Sequence, residues 1–129
     1  MIVVDCSAVV DALTGAPGID ELVGMLSGED LHAPELLDYE VVAAVRGLVL
    51  GRHLSVGRAE DVLIDFADLP VERWPADAAL RRRTFGLRNN LSAYDAAYVA
   101  LAEALECPLV TRDRRLGRSG GHVARVVVS

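Results

Sequence analysis

The sequence contains no lysine: all 13 of its basic residues are arginine. Every chemistry that needs a lysine amine is thereby removed, the P-loop phosphate cradle among them. There are only two cysteines, Cys6 and Cys107, too few for a disulfide framework. Each flanks an apolar strand-like segment, the setting of a buried free thiol. Aromatic residues make up 5% of the chain while just over half of it is hydrophobic, so the core is expected to be mostly Ala, Val and Leu. Long apolar runs are also missing. The best candidate, "YEVVAAVRGLVL", is interrupted by Glu40 and Arg46 and falls short of the ~20 residues that span a bilayer. Asp5 stands where a signal peptide would carry basic charge. A cytoplasmic protein with no membrane partner is therefore expected.

What is present is a chain of 129 residues with a net charge of −6. That length suits one domain, 1–129, able to bury a core without staples. The negative charge argues against a passive, all-over basic binder of nucleic acid. The arginines nevertheless cluster, at Arg81–Arg83 and at Arg112, Arg114, Arg115 and Arg118. Local basic rims can coexist with an acidic whole, and either run also reads as a solvated helix face or loop.

The patterning alternates short apolar strands with helices. Residues 2–4 read as a buried strand. "SAVVDALTG" has helical spacing and stops at Gly15, and "PGIDELVGMLSGED" reads as a second helix with Gly28 past its end. "DLHAP" is a brief extended piece. Pro34 is expected in the first turn of a strong helix that runs to about Leu50. Ser55 is placed to cap a helix over 57–68, "LPVERW" is extended, and a further helix runs from about Ala76 to Leu87 before "RNN" breaks it. Ser92 then caps a helix reaching Leu105, Pro108 prevents its continuation, Leu109–Thr111 is a strand, and "HVARVVVS" reads as a last one. "GRSGG" at 117–121 reads as a loop. The pattern implies an α/β fold: a three-layer α/β/α sandwich around a parallel sheet of four or five strands.

In such sheets ligands bind beyond the carboxyl ends of the strands. Asp5 and Asp113 follow two strands directly. Asp95 lies in the first turn of the helix before the second of these, and Glu40 lies within the strongest helix. Each has a structural reading: Asp5 as a helix cap, Asp95 completing a capping box with Ser92, Asp113 as a turn residue. Ser7 is a further cap candidate. Glu40 is harder to explain structurally. Its helical neighbours Leu36, Ala43, Ala44 and Gly47 are apolar or small, and Arg46 is roughly on the opposite face. Such a carboxylate needs compensation, and a cation shared with the other acids would provide it. Mg²⁺ or Mn²⁺ suits oxygen ligands; His32, His53 and His122 show no zinc-ligand spacing. The chemistry this set suits is metal-assisted hydrolysis of a phosphodiester.

The segments "IVVDCSAVVDAL", "YEVVAAVRGLV" and "LSAYDAAYVALAEALECPLVTRDRRL", in this order and in a chain of this size, resemble the PIN-domain ribonucleases. The likeness is greatest to the VapC toxins of bacterial type II toxin–antitoxin pairs, and it covers essentially the whole chain. It implies a PIN-like fold and an Mg²⁺- or Mn²⁺-dependent endoribonuclease. Asp5, Glu40, Asp95 and Asp113 would be its catalytic and metal-holding residues. Ser7 and Thr111 would be polar helpers, with Arg112 on the same rim. It further implies an RNA substrate, inhibition by a VapB-type antitoxin and a homodimer; the sequence does not fix the dimer surface, for which the helices near 35–50 and 57–68 are both open. A housekeeping PIN nuclease and an inactive PIN-like scaffold are the alternatives. Ala43 and Ala44 stand where many relatives carry a polar residue, often asparagine, and Cys6 stands where Ala or Thr is common. Haloacid-dehalogenase phosphatases need a second acid where Ser7 stands, and a lysine. The missing lysine also weighs against a response-regulator receiver, and no G-x-G-x-x-G follows a strand.

Overall fold

The computed structural model describes residues 1–129. Five strands, β1 (Ile2–Val4), β2 (Leu31–Pro34), β3 (Val71–Trp74), β4 (Leu109–Thr111) and β5 (Val126–Val128), form one sheet in the order β3-β2-β1-β4-β5. Every pairing is parallel. The central strand β1 and its neighbour β4 are wholly buried, as expected of parallel strands covered on both faces. Their side chains join a core of Val, Leu and Ala that also takes in Tyr98 and Phe66.

Helices α1 (Cys6–Thr14), α2 (Asp20–Gly28), α3 (Leu36–Leu50) and α4 (Val56–Asp68) pack among themselves on one side. On the other, α6 (Ala93–Leu105) lies against β1, β2 and β4, with α5 (Ala78–Gly86) on top of it. This is the three-layer sandwich that the alternating pattern implied. The chain fills the sheet from β1 outward to β3, then returns through α5 and α6 to place β4 on the other side of β1. The order therefore reverses between β1 and β4, and in open α/β sheets ligands bind beyond the carboxyl ends at such a switch point.

Local chemistry explains most boundaries. Ser55, Asp77 and Ser92 accept from the backbone N–H three residues on, opening α4, α5 and α6. Glu106 ends α6 in a left-handed conformation, φ 52°, before Pro108 forbids any continuation. Three expectations are corrected. Pro34 is the last residue of β2, and α3 starts at Leu36: with no N–H to lose, proline fits a strand end as readily as a first helical turn. Asp5, not Ser7, caps α1, accepting from the Ala8 N–H. Cys6 and Cys107 are free but half-buried. The structure adds a short helix, α7 (Arg114–Gly117), at a segment whose glycines mark a loop. Gly117 closes it because β5 passes so close that a Cβ there would collide with Val128.

Candidate active site

Strand register builds the centre. Val4 pairs with Val110, so the next residue of each strand, Asp5 and Thr111, stand side by side at the carboxyl edge. Thr111 donates its hydroxyl to Asp5 Oδ2. Asp5 Oδ1 accepts from Ser7 Oγ at 2.7 Å and from the Ala8 N–H at 3.0 Å. Ser7 Oγ lies 3.2 Å from Thr111 Oγ1 and accepts the Arg112 N–H at 3.0 Å. Thr111 Oγ1 in turn accepts the Asp113 N–H at 2.9 Å. The two hydroxyls thus lock the ends of β1 and β4 to one carboxylate that is only 7% exposed.

Such burial holds the Asp5 carboxyl above its ordinary range. The Thr111, Ser7 and Ala8 hydrogen bonds oppose the effect, and the charge of Asp95 adds to it. Glu40, half-buried on α3, behaves alike. Desolvation raises its carboxyl, the Tyr98 hydroxyl pulls it down, and Asp95 and Asp5 push it up. Tyr98 donates to Glu40 Oε1 at 2.6 Å, and burial, with this bond second, pushes the phenol well above its ordinary range. The compensation demanded for Glu40 therefore comes first from a neutral donor. Ala43 and Gly47, on the small-residue face beside Glu40, are exposed.

Asp95 and Asp113 are bridged by a guanidinium. Arg115 Nη2 lies 3.0 Å from Asp95 Oδ2 and 3.2 Å from Asp113 Oδ2. Asp113 also caps α7, its Oδ1 accepting the Arg115 N–H at 2.9 Å. Burial raises the Asp113 carboxyl, but the hydrogen bonds and charge of Arg115 outweigh it and hold it below the ordinary range. Only half of the Ser92–Asp95 capping box forms: Ser92 Oγ accepts the Asp95 N–H, while the Asp95 carboxylate turns to Arg115. Asp5, Glu40 and Asp95 thus share one electrostatic neighbourhood, joined to Asp113 through Arg115.

Arg112 departs from the rim expected of it. Its guanidinium pairs with Asp11 at 3.0 Å and donates to the carbonyls of Pro17, Gly18 and Ser129. It fastens the α1–α2 loop and the chain end to β4, and only its N–H serves the site. Two functional contacts escaped the sequence reading, Tyr98 and Arg115. The first had a signal: Tyr98 is three residues after Asp95, hence on the same helix face. The second had none, because nothing in "RDRR" separates the arginine that bridges the acids from its neighbours.

The donor set suits a hard divalent cation. Its groups are carboxylates and hydroxyls. The adjacent Cys6 thiol, pushed up to about 12 by burial and by Glu40 and Asp5, stays protonated at neutral pH. Burial first, and neighbouring acids second, raise the Asp5 and Glu40 carboxyls, and a bound cation would favour their charged forms. No three acidic, imidazole or thiol side chains are grouped closely enough here to hold an ion among them; Arg115 acts as counter-ion to two of the acids instead.

The profile of the PIN domain matches residues 2–121. Ribonuclease VapC12 of Mycobacterium tuberculosis is 40% identical over 126 residues, covering 98% of this chain and 97% of its own. Ribonuclease VapC1 of the same species is 44% identical over 121 residues, 92% and 90% of the two chains. Among solved structures, PAE2754 from Pyrobaculum aerophilum superposes with a TM-score of 0.68 at 24% identity, covering 89% of this chain and 76% of that one. VapBC-5 from Mycobacterium tuberculosis, described as a member of the VapBC family of toxin–antitoxin systems, gives a TM-score of 0.65 at 19% identity over 98% and 97%. With a matching profile over nearly its whole length and relatives of this identity, the chain belongs to the PIN-domain family and, within it, to the VapC ribonucleases.

Proposed function

We propose that this protein is a divalent-metal-dependent endoribonuclease of the VapC toxin type. Asp5, Glu40, Asp95 and Asp113 would hold Mg²⁺ or Mn²⁺. The observation that carries this reading is the placement of the acids at the carboxyl edge of β1 and β4: Asp5 buried and held by Ser7, Thr111 and the Ala8 N–H, with Asp95 and Asp113 bridged by one guanidinium beside it. When bound, the ion supplies a lowered pKa for a coordinated water and shields the charge that builds on a phosphodiester.

The chain's own residues do the positioning. Asp5 is fixed by three donors and serves as the rigid ligand. Glu40 is hydrogen-bonded only through Oε1, so Oε2 would be free to accept a proton, and its surroundings raise its basicity. Asp95 and Asp113, now paired with Arg115, would hold the cation in its place, leaving that guanidinium and the exposed Arg114 and Arg118 to face RNA phosphate.

A VapB-type antitoxin is the regulatory partner in this reading, supported by relatives solved as VapBC complexes. A homodimer is supported by exposed Val42 and Leu50 of α3 and Val56 and Ile64 of α4. No helix is long and apolar enough to cross a membrane. A housekeeping nuclease is separated from a toxin by expression: growth arrest that a neighbouring antitoxin gene relieves marks the toxin.

The direct test is cleavage of RNA by purified wild type and Asp5→Asn in Mg²⁺, in Mn²⁺ and in EDTA. Wild type with metal should cut, while EDTA or the substitution should lower the rate by at least about 100-fold. Equal cleavage in every sample overturns the metal-site reading.

A further inference from the structure

Beside Asp95 lies a polar pocket of about 450 Å³ whose asparagines have no part in the proposed chemistry. One wall is the turn between α5 and α6, with Asn89, Asn90 and Ser92; the other is α7 and the turn after it, with Arg115, Arg118 and Ser119. Asp95 lines it as well, so the pocket shares Asp95 and its partner Arg115 with the acidic site.

The walls are fitted to each other. Gly121 takes φ +83°, and a Cβ there would meet Asn90 Oδ1 at 2.7 Å. The backbone angle favours glycine, and a larger residue there would displace the Asn90 amide. Asp95 and Arg115 bond each other, Ser92 caps α6, and Ser119 bonds Leu116 and His122. The amides of Asn89 and Asn90 and the guanidinium of Arg118 bond nothing within the chain, although all three line the same cavity. An unpaired amide offers a donor and an acceptor side by side, the complement of a base edge, and a free guanidinium complements a phosphate. The volume lies within the range of small-ligand sites. Single-stranded RNA presents the bases that such a pocket can read, splayed from their stack.

We propose that this pocket is a specificity subsite for one nucleotide of single-stranded RNA next to the scissile phosphate, with Asn89 and Asn90 on the base edge and Arg118 on the phosphate. The proposal rests on the endoribonuclease reading for the position of that phosphate. It assigns base choice to the "RNN" turn, which in sequence is merely a helix breaker.

The test uses the full chain carrying Asp5→Asn, in Mg²⁺, titrated against fluorescent oligo(A), oligo(C), oligo(G) and oligo(U) by anisotropy. The parent should prefer one of the four. Adding Arg118→Ala should weaken all four by about tenfold and lower the slope of log affinity against log salt by about 1. Adding Asn89→Ala should leave that slope in place and flatten the preference by roughly fivefold or more. Binding and preference unchanged in both variants overturn the subsite even when wild type cleaves RNA. Binding that depends on Asn89 and Arg118, without cleavage by wild type, upholds the pocket as an RNA site and overturns the nuclease reading alone. No binding of any oligomer by the parent overturns the subsite.

Discussion

Asp5 combines two demands on one carboxylate. As the cap of α1 it accepts a backbone N–H, a role asparagine fills equally well. As a charge it is buried near Asp95, and its carboxyl is held above the ordinary range by desolvation first. A raised carboxyl means that the folded chain binds the proton more tightly than the unfolded chain. The associated stability is present below the unfolded pKa and lost as pH rises through the folded one. Metal-free wild type at neutral pH therefore bears the cost of an ionised Asp5. Asp5→Asn should melt higher than wild type in EDTA at pH 7, by about 4 °C for each kcal/mol relieved. The gap should close as pH falls below the Asp5 pKa. Calorimetry across pH checks this, and a substituted protein that melts lower at pH 7 contradicts the account. A gain in stability with a loss of cleavage would separate catalysis from folding at this residue.

At the scale of elements, α5 is the weakly held piece. It has no fully buried side chain; partly buried Leu80 is its contact with the core. An ion pair supplements that contact: Arg83 Nε and Nη2 donate to the two oxygens of Glu103 on α6 at 2.7 and 2.9 Å, and Glu103 also accepts the Val123 N–H. The Arg83 hydrogen bonds hold the Glu103 carboxyl below its ordinary range despite burial. A lowered carboxyl gives stability that is present above the unfolded pKa and lost as pH falls through the folded one. Because Arg83 is substantially exposed, Arg83→Ala should cost about 1 kcal/mol or less globally. Its larger effect should be faster amide exchange across α5, seen at pH 7 and shrinking toward the pH at which Glu103 protonates. Unchanged exchange in α5 would mean that Leu80 alone retains the helix.

The same scale shows what was legible. Asp5 and Asp113 follow apolar runs too short to be helices, so their place at strand ends followed from pattern alone. Ser55 and Ser92 marked helix starts because capping is local. Pro34 misled because a missing N–H suits two different positions. The short α7 was illegible because Gly117 is set by the distant Val128, and a long-range close approach leaves no trace in neighbouring residues. Arg112 and Arg115 were inseparable for the same reason: Asp11 claims one and Asp95 the other, and both partners are remote in sequence.

At the scale of the whole molecule, a chain of net charge −6 is proposed to bind a polyanion. Long-range attraction cannot supply that affinity, so it must come from local arginines and from neutralising the carboxylates of the acidic site. Cation binding, fold stability and RNA affinity should therefore rise together. A ligand that binds only the folded state stabilises it by about 2.7 kcal/mol at a hundredfold excess over Kd, roughly 10 °C for a chain of this size. Wild type should show such a rise in Tm with Mn²⁺, and Asp5→Asn only a small part of it, because the rigid ligand is gone. RNA affinity measured at fixed ionic strength should climb over the same Mn²⁺ range. Comparing the two midpoints is decisive. Coincident midpoints mean that RNA is recruited through the neutralised acids, whereas RNA affinity indifferent to Mn²⁺ would place the whole electrostatic attraction on the arginines.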